Sequence, residues 1–226
     1  AVMRNNAAAA DGSYAVAGFG PPEGFGFDYS SDHADIGDFS FVWRGMPIVI
    51  HDGADSDAAT AALLNRMEWR HNKTLYDGAG DSPVIDQSIL SPGTPRKDIM
   101  GHAAPPADFY PDGIRQFMTT PALDYVSGDV PVAPYGRHTS YVRHLLMLKP
   151  DALLVWDQIE SPYNIEWNLW APADNIWTER NILRLSMKGG VELHTHFVGE
   201  SSLTVTSEPF PQNRNEDWPV VMKSAY

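Results

Sequence analysis

Three histidines fall within forty residues of one another, each at the edge of a stretch that reads as β-structure: His33 in SSDHADIG, His51 in PIVIHDG and His71 in EWRHNKTLY. Asp35 and Asp52 accompany the first two. Neutral imidazole is a good ligand for a zinc-like ion. Three of them, with a water or a carboxylate in the fourth place, complete a tetrahedral shell. Asp35 or Asp52 could ligate directly or orient an imidazole through its second nitrogen. The plain reading stays open beside this one: a histidine at a strand end is ordinarily a polar surface residue, and the chain has eight.

Such a site needs elements that bring its donors together. Residues 38–44 (DFSFVWR) and 47–51 (PIVIH) read as a hairpin joined at Gly45-Met46. A hairpin folds back on itself, so residues outside its two ends become neighbours, which predicts that His33 and His51 meet. The spacing of Ala62, Leu63 and Met67 predicts one short helix over residues 57–67. His71 then opens a strand over 71–76 that could return to the same end. Further strands are expected over 122–126, 140–148, 152–158, 164–171, 182–187, 191–198 and 202–206. The firmest hairpin joins 141–148 to 152–159 across Lys149-Pro150-Asp151, where Pro and Asp supply turn chemistry. Residues 78–107 and 208–220 read as long loops.

The composition agrees. The chain has 226 residues, of which 43% are hydrophobic and 11% aromatic, and short β-rich runs are punctuated by 18 Gly and 18 Pro. The expectation is a single all-β domain over residues 1–226, an antiparallel two-sheet sandwich of jelly-roll type with the one short helix. No stretch is long and apolar enough to span a membrane. The first residues show no signal-peptide pattern, and the chain is expected to be a mature or excised piece. Cysteine is absent, so a metal must use His, Asp or Glu. A net charge of −13 argues against nucleic acid as a partner. A polyanionic sugar could bind only at a local basic patch.

Other residues carry weaker signals. His194 and His196 in VELHTHFV face one way on a strand, a geometry open to metal binding but commoner on a solvated face. His138 and His144, near Arg137 and Arg143, read as water-facing. Trp43, Trp156, Trp167 and Trp170, in strand-like runs, read as core.

Three segments together resemble the C-terminal β-sandwich of heparinase II/III-like polysaccharide lyases, a family that includes alginate lyases. They are HADIGDFSFVWRGMPIVIHDG, RHNKTLYDG and YGRHTSYVRHLLMLKPDALLVWDQIES. They cover much of residues 30–171. The resemblance implies a zinc-like, structural ion held by His33, His51 and His71. The family has Asp where this chain has His51, and Asp52 stands next to it. The family's first motif histidine, often assigned to catalysis, aligns with Ser31. The resemblance also implies a preceding helical toroid, as a domain or a partner subunit. Nothing in this sequence looks like one, so the chain is expected to be the C-terminal part of a larger lyase.

The implied reaction is β-elimination on a uronic acid: a base takes the proton at C5 and the C4–oxygen bond breaks. The site must neutralise the sugar carboxylate and stabilise an enolate-like intermediate. Arg70 and Asn72, flanking His71, are candidates to touch the sugar, and Tyr76 is the candidate phenol for proton transfer. The plain alternatives are a surface salt bridge for Arg70 (to Glu68 or Asp77) and strand packing for Tyr76. The implied partner is an anionic polysaccharide such as alginate or a glycosaminoglycan, and the implied location is periplasmic or secreted. A non-catalytic carbohydrate-binding sandwich or accessory subunit is the alternative. A cupin-type enzyme is disfavoured, because its His-x-His with a following Glu is missing at the first site.

Overall fold

The computed structural model describes residues 1–5, 12–19, 37–50, 72, 74–76, 113–130, 139–199, 204–206, 208–209 and 220–222. Among them the chain forms β1 (Val2–Arg4), β2 (Tyr14–Ala17), β3 (Phe39–Trp43), β4 (Met46–Val49), β5 (Thr74–Tyr76), β6 (Ile114–Thr119), β7 (Leu123–Asp129) and β8 (Ser140–Leu148). There follow β9 (Ala152–Glu160), β10 (Ile165–Trp167), β11 (Ala171–Pro172), β12 (Asn175–Glu179), β13 (Ile182–Met187), β14 (Val191–His196), β15 (Glu208–Pro209) and β16 (Val220–Met222). The expected all-β antiparallel sandwich is present. The helix expected over 57–67 lies outside the described residues.

The ladders divide into the sheets β1-β2-β3-β4, β6-β7-β8-β9 and β12-β13-β14, with the small sheets β10-β5 and β11-β16-β15 between chain segments. One hydrophobic cluster serves all three larger sheets. It takes Phe39, Phe41 and Ile48 from the first, Val126, Leu145 and Met147 from the second, and Leu183, Leu185 and Met187 from the third. Period-2 alternation explains β13, where Leu183, Leu185 and Met187 point inward and Arg184 points out. Chain reversals follow local chemistry. The β3–β4 hairpin turns at Arg44-Gly45, one residue earlier than the sequence implied. Both residues have positive φ, 47° and 78°, as a type I′ turn requires.

Strands β1, β2, β6 and β12 were not anticipated, and β15 and β16 fall at the ends of residues 208–220, which read as a loop. β1 is three residues long. β2 is four residues long. β6 is exposed at every position, so it shows no hydrophobic alternation. β1 is pinned to β7 by a buried polar cluster. The Arg4 amide donates to Asp124 at 2.8 Å, Lys149 Nζ meets the same carboxylate at 2.7 Å, and Thr119 donates its hydroxyl to it. Lys149 also donates to the Thr120 carbonyl at 2.8 Å.

Burial opposes ionisation of Asp124. The hydrogen bonds from Lys149, Thr119 and the Arg4 amide, with the charge of Lys149, outweigh it and hold the carboxyl below its ordinary value. A carboxylate lowered in the fold stabilises it fully above the unfolded value of about 3.9, and this is lost as pH falls through the folded value. Replacing Lys149→Met strands a buried carboxylate. Urea unfolding near neutral pH should show a loss of about 3–5 kcal/mol. The gap from the wild type should narrow in acid, once Asp124 is protonated in both.

Candidate functional site

Arg143 and Asn72 form the densest polar arrangement in the described interior, and both are 0% exposed. Arg143 lies on β8, among the inward residues Tyr141, Leu145 and Met147. The β8–β9 hairpin register sets Asp157 directly opposite. Nε and Nη2 of Arg143 grip the two Asp157 oxygens in a fork, each at 2.7 Å. Nη1 donates to the Gly37 carbonyl and, at 2.6 Å, to the Asn72 carbonyl. Four of the five guanidinium N–H donors are thereby used. The guanidinium carbon also lies 5.5 Å from the Phe39 ring centroid and 5.6 Å from that of Tyr141. Burial alone would lower the pKa of Arg143. The Asp157 charge and its hydrogen bonds, with Asp38 adding to them, more than offset this and move it up, so the group stays cationic.

Asn72 continues the arrangement. Its Nδ2 donates to the carbonyls of Phe39 and Ile50, both at 2.8 Å, and its Oδ1 accepts from the Trp170 amide at 2.6 Å. Its own amide donates to Asp38 Oδ1 at 2.8 Å, beside the Phe39 amide at 2.6 Å. Thr74 donates to the Tyr141 hydroxyl at 2.8 Å, and burial pushes that phenol well above its ordinary range. Trp167 Nε1 completes the shell of Asp157 at 3.0 Å.

These bonds draw together the chain points beside the three histidines. Ile50 precedes His51, Asn72 follows His71, and Gly37 lies four residues after His33. His33, His51, His71 and Arg70 themselves lie outside the described residues, as do Asp35 and Asp52. Among the described residues no group of three or more His, Asp, Glu or Cys side chains is arranged to hold a metal. The two described candidates are interior. The Asn72 side chain is committed to backbone groups, so its polar atoms face no surface in this arrangement. Tyr76 is 1% exposed. It pairs with Ile165 between β5 and β10.

Two side-chain placements differ from expectation. Arg143, read as water-facing, is buried, because the inward stripe of β8 includes it and Asp157 neutralises it. The signal was available in the register that the Lys149-Pro150-Asp151 turn imposes. Trp156, read as core, is 54% exposed. It stacks on His144 at 4.7 Å on the outer face of the β6–β9 sheet, while Tyr125 and Gln158 hold the two ring nitrogens of His144.

No protein-family model matches the chain, and no curated protein matches it in sequence. Its fold is similar to that of solved structures. One is described as a heparinase III gene product, with a TM-score of 0.68 and 13% identity over 99% of this chain. Another is described as heparinase III, with a TM-score of 0.63 and 9% identity over 100% of this chain. The chain spans 31% and 32% of those two proteins. At such identity the likeness is one of fold: a heparinase-like β-sandwich.

Asn72→Ala would orphan the carbonyls of Phe39 and Ile50 and the amide of Trp170. An unsatisfied buried group costs about 1–3 kcal/mol. Urea unfolding of the variant should show a loss of at least about 3 kcal/mol, and a loss below about 1 kcal/mol would contradict this role for the amide.

Proposed function

We propose that the chain is the metal-holding sandwich part of a polysaccharide lyase that acts by β-elimination on a uronic-acid-containing polysaccharide such as alginate or a glycosaminoglycan. The observation that carries the reading is the convergence of residues 37, 50 and 72 on the Arg143–Asn72 bonds, inside a heparinase-like sandwich. The donor chemistry fits a zinc-like ion: three imidazoles, carboxylates at Asp35 and Asp52, and no thiol. His33, His51 and His71 would hold it, with Asp52 next to His51 as a further oxygen ligand.

A filled shell of protein ligands makes such an ion structural, a tie between the hairpin and the segment carrying Arg70. Arg70 is assigned to the sugar carboxylate. Its charge would offset the carboxylate and make the C5 proton easier to remove. Tyr76, the sequence candidate for proton transfer, is buried, and we assign the base and acid roles to a helical domain or subunit beside the sandwich. An extracellular polymer as substrate goes with a periplasmic or secreted location.

The test is incubation with alginate, heparan sulfate, hyaluronan and glucuronan while the ultraviolet absorbance of the unsaturated product is followed. With the helical domain or subunit supplied, the lyase reading expects steady growth on at least one polymer, and the chain should hold about one zinc by elemental analysis. His71→Ala should weaken zinc binding by at least about 100-fold, beyond the range for losing an outer-shell partner. Arg70→Gln should slow turnover and leave the zinc content intact. Binding without growth by the chain alone would leave a non-catalytic carbohydrate module or an incomplete enzyme, and binding without growth even with the helical part present would make it a non-catalytic module.

A further inference from the structure

We propose that the outer face of the β6-β7-β8-β9 sheet docks a second copy of this chain, so that two sandwiches pair face to face. The inference does not use the lyase reading.

Register fixes which side chains share this face. Met118, Tyr125, Leu146 and Leu154 stand opposite one another in one row across the four strands. Gln116, Ser127, His144 and Trp156 form the next row. Alternation sends Tyr141, Arg143, Leu145 and Met147 inward, so the face is turned away from the Arg143–Asn72 centre. Leu154 is 56% exposed, Met118 47% and Leu148, on the same face, 46%. With the exposed Trp156 indole they form a patch, whereas single exposed apolar residues need no explanation.

The chemistry of the face is that of a protein interface. Its two central rows hold no Asp, Glu, Lys or Arg, in a chain where 20% of residues are charged. Charge returns at the margin, in the Arg115–Asp129 pair and at Glu160. An aromatic and apolar centre inside a polar rim is the anatomy of a buried interface. The centre is also ordered in advance. Trp156 stacks on His144, whose ring nitrogens meet Tyr125 and Gln158 at 2.7 and 3.2 Å. This lowers the ordering cost of docking. Those polar groups are engaged with one another, which suits them poorly to the hydroxyls of a sugar.

Charge and area select the occupant. Each copy carries a net charge of −13, so two copies repel over most of their surface and approach best through a face without charge. A basic partner would be drawn to the acidic remainder instead. Four strands about 4.8 Å apart, the longest with nine residues at about 3.4 Å each, give a footprint of roughly 19 by 30 Å. That is about 550 Å² before the relief of the side chains is counted, close to the roughly 800 Å² per partner of a standard interface. A twofold axis brings the same rows together from both copies, and sheet faces pack about 10 Å apart with their side chains interleaved.

The experiment is sedimentation velocity of the purified chain across the micromolar range. The wild type should sediment as a dimer at the upper end. Salt should strengthen the dimer, because it screens the repulsion between two acidic copies. Leu154→Glu and Trp156→Glu should each weaken dimerisation by at least about tenfold with an unchanged circular dichroism spectrum. Trp177→Glu, at an exposed indole on β12, should leave the dimer intact. A monomer throughout, a dimer that salt dissociates, unchanged dimerisation in either face variant, or an equal loss in Trp177→Glu would overturn the inference. Separation of the dimer on adding the helical part of a lyase would also overturn it, by giving the face to that part.

Discussion

A guanidinium at 0% exposure is expensive to keep in a protein interior, and the centre of this sandwich is arranged around one. The Arg143 charge is tolerable because Asp157 receives it in a two-pronged contact and two backbone carbonyls take further donors. Those carbonyls belong to Gly37 and Asn72, segments far from β8 in sequence. Asn72 in turn binds the backbone at positions 39, 50 and 170. Residues from separate stretches of chain thus share one polar centre, and among the described residues the strands are mostly short and divided among five sheets. Apolar burial supplies the bulk of the driving force, but it is indifferent to small slips between surfaces. The directional bonds of Arg143 and Asn72 are not, and they fix where the loops leave the sandwich.

Much of this was legible from residues alone. The β8–β9 hairpin could be read from two hydrophobic runs around a Pro-Asp turn, and its register then determined that Arg143 faces Asp157. The β3–β4 hairpin was legible for the same reason. Strands β1 and β2 were not, because three or four residues are too few to display a period. An exposed edge such as β6 has no buried face to mark it. Asn72 shows the harder limit. A His-Asn pair before a strand draws the eye to chemistry, yet an amide side chain is equally suited to tying three backbone segments. Only the three-dimensional neighbours distinguish the two uses.

The likeness to heparinase III structures is a likeness of shape, carried by a third of their length. Function enters through particular side chains, and the Arg143–Asn72 centre draws together residues 37, 50 and 72, beside which the three histidines lie in sequence.

The proposed function requires that His33, His51 and His71 share one cation. Zinc K-edge X-ray absorption of the zinc-loaded protein counts those ligands. The account predicts a first shell with three imidazole nitrogens at about 2.0–2.1 Å. A shell of oxygen alone, or failure to retain zinc, would contradict it.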